Sequence, residues 1–417
     1  MASDDFLDVS KAAADLLDLI RAKNRHPERD ASVLCISRAQ FIVDIHALNK
    51  YSAKYNWLRV SMADLDRVQR PWLIPGAMDQ DTHWTHGDER YRPGWNKCQA
   101  LAERILLALV QDGLVAVMSA NFDYGQDHGF RLACAKLGIP FLVLLREHYQ
   151  WPSEIEIGRA YYRPGSYRPL VQGVAVAGRS TKDLLDAWDG LDPENIRITG
   201  FPRLDPWLDL RRNPPAGPRD RIVLLGYTLQ YLEVNSFDEA LAEFEAAAER
   251  HRGKPLEFVI KCKDEASWAY VQARLKPDTP VKGVVLVALH TVLDRARCVI
   301  GYNTMGLFEG LLSDAFVIVP QWGGAAGDPD TQLFSRDDPT LTGHVNFAMS
   351  REDFVCMLDR AADGTLPPQD QAGRLAIVQH HILYDPDEPA AVRVERFVDH
   401  YVNAAFEGDG AAAPGDA

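Results

Sequence analysis

The sequence predicts an α/β protein made of two tandem Rossmann-like domains, and three observations carry that reading. Short apolar runs rich in β-branched residues alternate with helical patterns along most of the chain, which is the signature of parallel βαβ units. The stretch 284–322, VVLVALHTVLDRARCVIGYNTMGLFEGLLSDAFVIVPQW, states one such unit outright: apolar runs at Cys298–Tyr302 and Phe316–Pro320 bracket a short helical pattern. Finally, 417 residues exceed the roughly 250–300 that one core accommodates, so two domains are expected. The break falls in RRNPPAGPRD, residues 211–220, where three prolines and a glycine interrupt the pattern. The expected domains are therefore 1–210 and 221–388 with a cleft between them, followed by a helix at 389–407 and a disordered tail from 408.

Taken in order, residues 1–25 read as an amphipathic helix with Phe6, Val9, Ala13, Leu16, Leu17 and Ile20 on one side. Ser32–Ser37 is the first buried strand, and Arg38 follows at its carboxyl end, where α/β sheets place ligand-contacting groups. Residues 60–97, rich in Trp, Asp, His and Pro, read as a long irregular insert on the acceptor side. A helix from about Trp95 to Gln111 leads to the strand Leu114–Ser119, a polar turn, a helix, Gly138-Ile139-Pro140, and another strand with a polar turn. Those two turns hold Asp123, Asp127, His128, Arg146, Glu147 and His148, and both should open on one sheet edge because both follow strand carboxyl ends. Asp127, just ahead of its helix, suits a helix cap as well as it suits a catalyst. Strands at Val174–Ala177 and Ile196–Gly200 precede the segment GFPRLDPW, which contains Arg203.

The second half opens with the strand Arg221–Gly226, a helix from about Ser236 to Arg252, and the strand Glu257–Lys261. Lys261 and Lys263 end that strand; two cations there would neutralise a pyrophosphate, or they are two surface lysines. In the 284–322 unit, Gly301, Asn303, Thr304 and Gly306 form a small polar turn opening a helix, whose backbone N–H groups and dipole suit a phosphate. Such a helix end contributes only about 0.3–1 kcal/mol to an exposed charge, so other groups must add to it. Glu309, about one turn further on, could accept hydrogen bonds from ribose or sugar hydroxyls, or it is a solvated helix residue. Helices are expected at about 351–363, 370–381 and 389–405.

Composition bounds the function. Hydrophobic residues make up 47% and charged residues 25%, as in a globular enzyme. A net charge of −14 argues against a general nucleic-acid binder. The acidic amino-terminal helix lacks the features of a signal peptide, no stretch reaches the length of a membrane span, and the six cysteines are scattered singly. A cytoplasmic protein with reduced thiols is expected, any membrane association being peripheral. No metal-ligand spacing stands out; Asp-Pro-Asp at 328–330 and 385–387 reads as loop and helix-entry chemistry.

The order of motifs resembles the GT-B glycosyltransferases over about residues 110–400, most strongly at 174–205 and 298–320. The residues that carry it are Gly138-Ile139-Pro140 and its strand, ITGFPRLD, a strand ending in Lys261, and IGYNTMGLFEGLL followed by VIVP. More narrowly the chain is similar to the bacterial surface-polysaccharide branch, with capsule Kdo transferases and CDP-glycerol glycerophosphotransferase-like enzymes, and more distantly to UDP-N-acetylglucosamine 2-epimerases. The resemblance implies a nucleotide-sugar donor as substrate, no separate cofactor, no metal, and a glycan or glycolipid acceptor. It implies donor contacts at Gly226, Lys261, Lys263, Gly301, Asn303, Thr304 and Glu309. It also implies a base among Asp123, Asp127, Glu147 and His148, with Arg38, Arg146 and Arg203 lining the cleft. Two departures stand out: Lys261-Cys262-Lys263-Asp264 replaces the usual Lys-Pro-His-Pro, and Arg146-Glu147-His148 replaces a Gln-His-Gly-like turn. In the epimerases a glutamate occupies that turn, where Glu147 falls, but their downstream Arg-rich signature is absent because QWGGAAGDPD stands in its place. Epimerase or hydrolase chemistry and a non-catalytic binding subunit therefore remain the rival readings.

Overall fold

The computed structural model describes residues 2–22, 28–38, 41–74, 89–122, 124–148, 169–188, 190–226, 237–323 and 333–409. The described residues form two compact units. One comprises those within Met1–Tyr149, Ile157–Asp205 and Ile382–Ala417, the other those within Pro206–His381. Each unit holds one six-stranded parallel sheet with helices packed on it, so the fold is α/β with two Rossmann-like units in tandem.

In the first unit the strands are β1 (Ala31–Ser37), β2 (Tyr55–Ser61), β3 (Leu114–Ser119), β4 (Phe141–Leu144), β5 (Gly173–Val176) and β6 (Ile196–Ile198), in the order β2-β1-β3-β4-β5-β6. Strand order reverses between β1 and β3, which makes their carboxyl ends the switch point where such sheets bind ligands. Alternate residues feed two cores. Leu34, Ile36, Val117, Val143 and Val176 pack with helices α1 (Ala2–Arg21), α4 (Arg92–Val110) and α5 (Gly125–Leu137). On the other face Val33, Cys35, Ala116, Met118, Leu142 and Ala175 meet α2 (Ile42–Tyr51) and α14 (Ala390–Asp409) through Ile45, Leu48, Val394, Phe397 and Val398. Between these lie α3 (Met62–Gln69) and α6 (Arg179–Asp186). The stripe of Val9, Ala13, Leu16 and Ile20 on α1 is buried, as its spacing requires.

The second unit holds α7 (Pro206–Arg212), β7 (Arg221–Leu225), α8 (Phe237–Arg250), β8 (Glu257–Cys262), α9 (Glu265–Gln272), β9 (Lys282–Val285), α10 (Leu289–Leu293), β10 (Ala296–Ile300), α11 (Gly306–Leu312), β11 (Phe316–Pro320), β12 (Asn346–Ala348), α12 (Arg351–Asp363) and α13 (Gln371–His381). Its strand order, β12-β11-β10-β7-β8-β9, is the 3-2-1-4-5-6 order of dinucleotide-binding sheets, with the switch point between β7 and β10. One face buries Ile222, Leu224, Phe258, Ile260, Cys298 and Ile300 against Phe244 of α8 and Phe354 and Leu358 of α12.

Three expectations need correction. Residues 60–97 are not an irregular insert at their ends: Tyr55–Ser61 is a strand, Ser61 caps α3 by accepting from the Asp64 N–H at 3.0 Å, and α4 starts at Arg92; residues 75–88 lie outside the described residues. The strand read as Cys298–Tyr302 runs instead from Ala296 to Ile300, because Gly301 and Tyr302 already turn away toward α11. The last helix extends through Asp409, so helix occupies the first two positions of the expected tail.

A long-range cap anchors that last helix. Asp205, 2% exposed, accepts from the N–H groups of Ala390 and Ala391 at 2.7 and 2.8 Å, satisfying donors that a helix start leaves open. Burial raises its pKa from 3.8 to about 7, against the opposing pull of the two N–H groups and Arg393. A carboxyl whose folded pKa is raised contributes proton-linked stability that is complete below its unfolded pKa and is lost as pH climbs through the folded one. The stability of the parent relative to an Asp205→Asn variant should therefore fall between pH 4 and pH 7. The fall is at most roughly 4 kcal/mol, read from urea midpoints across that range. A difference independent of pH would show that Asp205 does not titrate there.

Candidate functional site

At the switch point of the second unit, Gly226 follows β7 and Gly301 follows β10, so two glycines sit side by side at the carboxyl edge. Neither position has room for a side chain to spare. A Cβ on Gly301 would press on Leu307 at 2.9 Å and Leu225 at 3.2 Å, and one on Gly226 would lie 3.3 Å from the Lys261 carbonyl. Close packing at the strand ends therefore requires both glycines. Thr304 accepts from the Gly306 N–H through its Oγ1 at 3.3 Å, and Asn303 accepts from Leu333 N at 3.0 Å through its Oδ1. The turn is thus pinned at both polar side chains. Because α11 has only seven residues and its first N–H is engaged by Thr304, the helix end is a weaker anion site than the sequence suggests.

What the structure adds is a half-buried lysine with a carboxylate in its neighbourhood. Lys261, the penultimate residue of β8, is half-buried and donates from Nζ to the Cys262 carbonyl at 2.7 Å. Burial pulls its pKa down, opposed by Cys262, by the nearby Glu309 and by Asp264. Glu309 accepts a hydrogen bond from the Trp207 indole N–H at 3.1 Å, and Trp207 is itself buried. A carboxylate that accepts from an indole has further lone pairs that suit a diol, while an ammonium bonded to one backbone carbonyl has further donors that suit an anion. Trp207 was missed in the sequence; the signal available was its place directly after the GFPRLDP motif. Lys263, by contrast, is exposed, and its neighbour Asp264 turns back to cap α9 through Ser267 N at 2.7 Å. Of the two expected lysines, Lys261 is the one drawn to the switch point.

In the first unit the switch point lies between the ends of β1 and β3. Arg38 stacks its guanidinium 3.6 Å from the centroid of the Tyr124 ring. Arg146 and Arg203 are instead occupied by Asp44, a buried residue of α2 that sequence reasoning passed over. Asp44 accepts from Arg146 Nε and from Arg203 N, each at 3.1 Å, and Arg203 also lies over the Phe201 ring at 3.7 Å. These two arginines therefore brace the turn after β4 against the GFPRLD segment.

The four acids and imidazoles expected to include a base separate sharply. Asp123 lies outside the described residues. Asp127 is fully buried: its Oδ2 accepts from Ser119 Oγ at 2.6 Å and its Oδ1 faces Arg131 at 3.2 Å, so it ties α5 to β3. Burial lifts its pKa to about 6 against the pull of Arg131 and Ser119. His148 is also buried, 2.9 Å from Thr181 Oγ1 through Nδ1. Both side chains face inward here, which corrects the expectation that they present themselves at the edge. Glu147, between Arg146 and His148, is exposed and is the described acid of the set that a ligand can reach.

No protein-family model matches this sequence, and no curated protein matches it. Solved structures similar in fold include the UDP-GlcNAc 2-epimerase of Methanocaldococcus jannaschii (11% identity, 89% of this chain and 99% of that one, TM-score 0.47). They also include the UDP-GlcNAc 2-epimerase of Neisseria meningitidis bound to UDP-GlcNAc (12%, 88% and 100%, 0.46). A third is the α,α-trehalose 6-phosphate synthase of Burkholderia multivorans (11%, 93% and 99%, 0.45). At these scores the fold class rests on the chain's own sheets.

Replacing Trp207 by Phe keeps an aromatic ring in the same place and deletes the N–H that meets Glu309. Urea denaturation should register a loss of about 1 kcal/mol. A midpoint unchanged from the parent would show that the indole bond does not hold Glu309 in place.

Proposed function

We infer that this chain is a glycosyltransferase that moves a sugar or polyol phosphate from a nucleotide-activated donor to a surface-polysaccharide or glycolipid acceptor. The observation that carries the reading is the cluster of Lys261, Glu309 and Trp207 beside the two glycine turns of a 3-2-1-4-5-6 sheet. Fold alone does not fix an activity, so the reading stands on these groups.

In this proposal the donor phosphates lie over Gly226 and Gly301, and Glu309 accepts from a pair of sugar or ribose hydroxyls. As the bond between sugar and phosphate oxygen breaks, negative charge gathers on the leaving phosphate. Lys261, already partly stripped of water, stabilises that charge more than an exposed lysine would, and supplies it without a divalent ion. Glu147 takes the proton of the acceptor hydroxyl; a positioned carboxylate contributes typically about 10²–10⁴-fold. Asp44 positions the turn that carries Glu147 by holding Arg146.

The exposure of Glu147 also favours a second reading, 2-epimerisation or hydrolysis of the nucleotide sugar, since the resemblance to the epimerases places a glutamate on this turn. Product formed from the donor with no acceptor added would select it.

A thermal-shift screen of the purified chain against UDP, CMP, CDP, GDP and dTDP, with EDTA or with magnesium, tests the donor site. A nucleotide at 100 times its dissociation constant should stabilise the fold by about 2.7 kcal/mol in EDTA as well as in magnesium. Silence from every nucleotide would refute the reading, and a shift confined to magnesium would refute its metal independence. Glu309→Ala and Lys261→Ala should each weaken the responding nucleotide by roughly tenfold or more, measured by titration calorimetry. Glu147→Gln should leave that affinity unchanged and lower turnover by roughly 10²-fold or more; unaltered turnover would remove Glu147 from the mechanism.

A further inference from the structure

The opposite edge of the second sheet, where the strands begin, carries a feature the donor reading does not use. A pocket of about 380 Å³ opens there, lined by Arg219 ahead of β7, Arg297 of β10, Asp314 and Phe316 at the start of β11, and Pro368 and Gln369 after α12. Because the strands are parallel, this pocket is separated from Gly226, Lys261 and Gly301 by the length of the sheet.

Its charges do not balance. Arg219 pairs with Asp314, which is half exposed. The other nearby acids are engaged elsewhere: Asp220 with Arg295, and Asp363 with Lys254 at 2.7 Å. That leaves Arg297, which bonds backbone oxygens alone: Nε to the Arg219 carbonyl at 3.0 Å, and Nη1 to those of Ala361 and Ala362 at 3.2 and 3.0 Å. Among the described residues no carboxylate lies within ion-pair distance of it. Behind the Arg219–Asp314 wall, Arg374 of α13 is fully buried, donates from Nη2 to the Gly310 carbonyl at 3.0 Å, and has no partner for Nε or Nη1. Burial lowers its pKa to about 10, with Asp314 opposing and Arg219 adding to the shift, so it stays a cation. Three guanidiniums (Arg219, Arg297 and Arg374) against the one carboxylate of Asp314 leave a local positive field, which a buried or half-buried site screens poorly.

Gln369 of the same lining holds one unfilled acceptor. The Gln369 Oε1 is buried without a partner while its Nε2 donates to the Pro367 carbonyl at 2.9 Å. An unfilled acceptor beside an uncompensated cation suits a ligand bearing both an oxyanion and a hydroxyl donor. We propose that this pocket, at the amino-terminal edge of the second sheet, is a binding site for a small hydroxylated phosphate monoester. Its phosphate meets Arg297, with Arg219 beside it, and one hydroxyl donates to Gln369.

The test is titration calorimetry of the full chain with ribose 5-phosphate, inorganic phosphate and uncharged ribose. Saturable binding of ribose 5-phosphate, weaker binding of inorganic phosphate and none of ribose are expected. Gln369→Glu places a like charge against the phosphate and should weaken ribose 5-phosphate by roughly tenfold or more. That position is only half-buried and holds no element together, so the variant should fold as the parent does. Arg297→Lys should weaken it as well, and circular dichroism reports whether that variant keeps its fold. Lys261→Ala, at the other edge, should leave binding unchanged. Any of three results overturns the proposal: no saturable binding by the parent, equal affinity in Gln369→Glu, or loss of binding in Lys261→Ala.

Discussion

Parallel pairing is the constraint from which the rest of the molecule follows. Every described strand pair in both sheets runs in the same direction, so each strand must return by a crossover and all carboxyl ends fall on one edge. The sheets are covered on both faces, which forces near-continuous apolar strands and leaves the turns at their ends as the places where polar residues can stand. The candidate donor groups of the second unit lie at such turns or next to them. Where the strand order reverses, two such turns diverge and leave a crevice, and the two glycines, Lys261 and Glu309 belong to one of these crevices.

The fold was legible because its signals are local. Ile222, Leu224, Ile260, Cys298 and Ile300 announce buried strands by composition. The strand at Tyr55–Ser61, which sequence reasoning did not single out, was hidden for an equally local reason. Tyr55–Ser61 contains Asn56 and Arg59, which dilute the apolar run, yet the strand forms because Trp57 and Leu58 are buried against opposite faces and Asn56 donates to the Arg29 carbonyl at 2.6 Å. Tertiary burial overrode composition there.

The site was legible to a lesser degree, and the reason is chemical. Asp127, Asp205, Asp44 and Glu147 are alike in sequence, each an acid near a turn. Burial separates them: Asp127 ties α5 to β3, Asp205 caps α14, Asp44 braces two arginines, and Glu147 alone of the four reaches solvent. Carboxylates cap helices and catalyse reactions with the same oxygens, and residue type cannot say which partner has claimed them. Glu309 could be singled out because its neighbours are apolar and a lone acid on a buried turn is informative; its indole partner lies 102 residues away and leaves no local trace.

The two edges of the second sheet differ in how they hold charge, and the difference bears on what each can bind. At the carboxyl edge the half-buried Lys261 has the carboxylate of Glu309 in its neighbourhood, which opposes the lowering of its pKa by burial. At the amino edge the guanidiniums exceed the carboxylates, Asp314 being paired with Arg219 while Arg297 bonds backbone oxygens. Under the proposed function, the first arrangement would take a molecule with a hydroxylated sugar next to its phosphates. The second selects first for charge and then, through one unfilled acceptor, for a hydroxyl. Arg374 is buried with a single backbone partner, and that burial carries a cost in self-energy. A bound anion would relieve that cost, which is why the amino edge is read as a second site and not as an accident of packing.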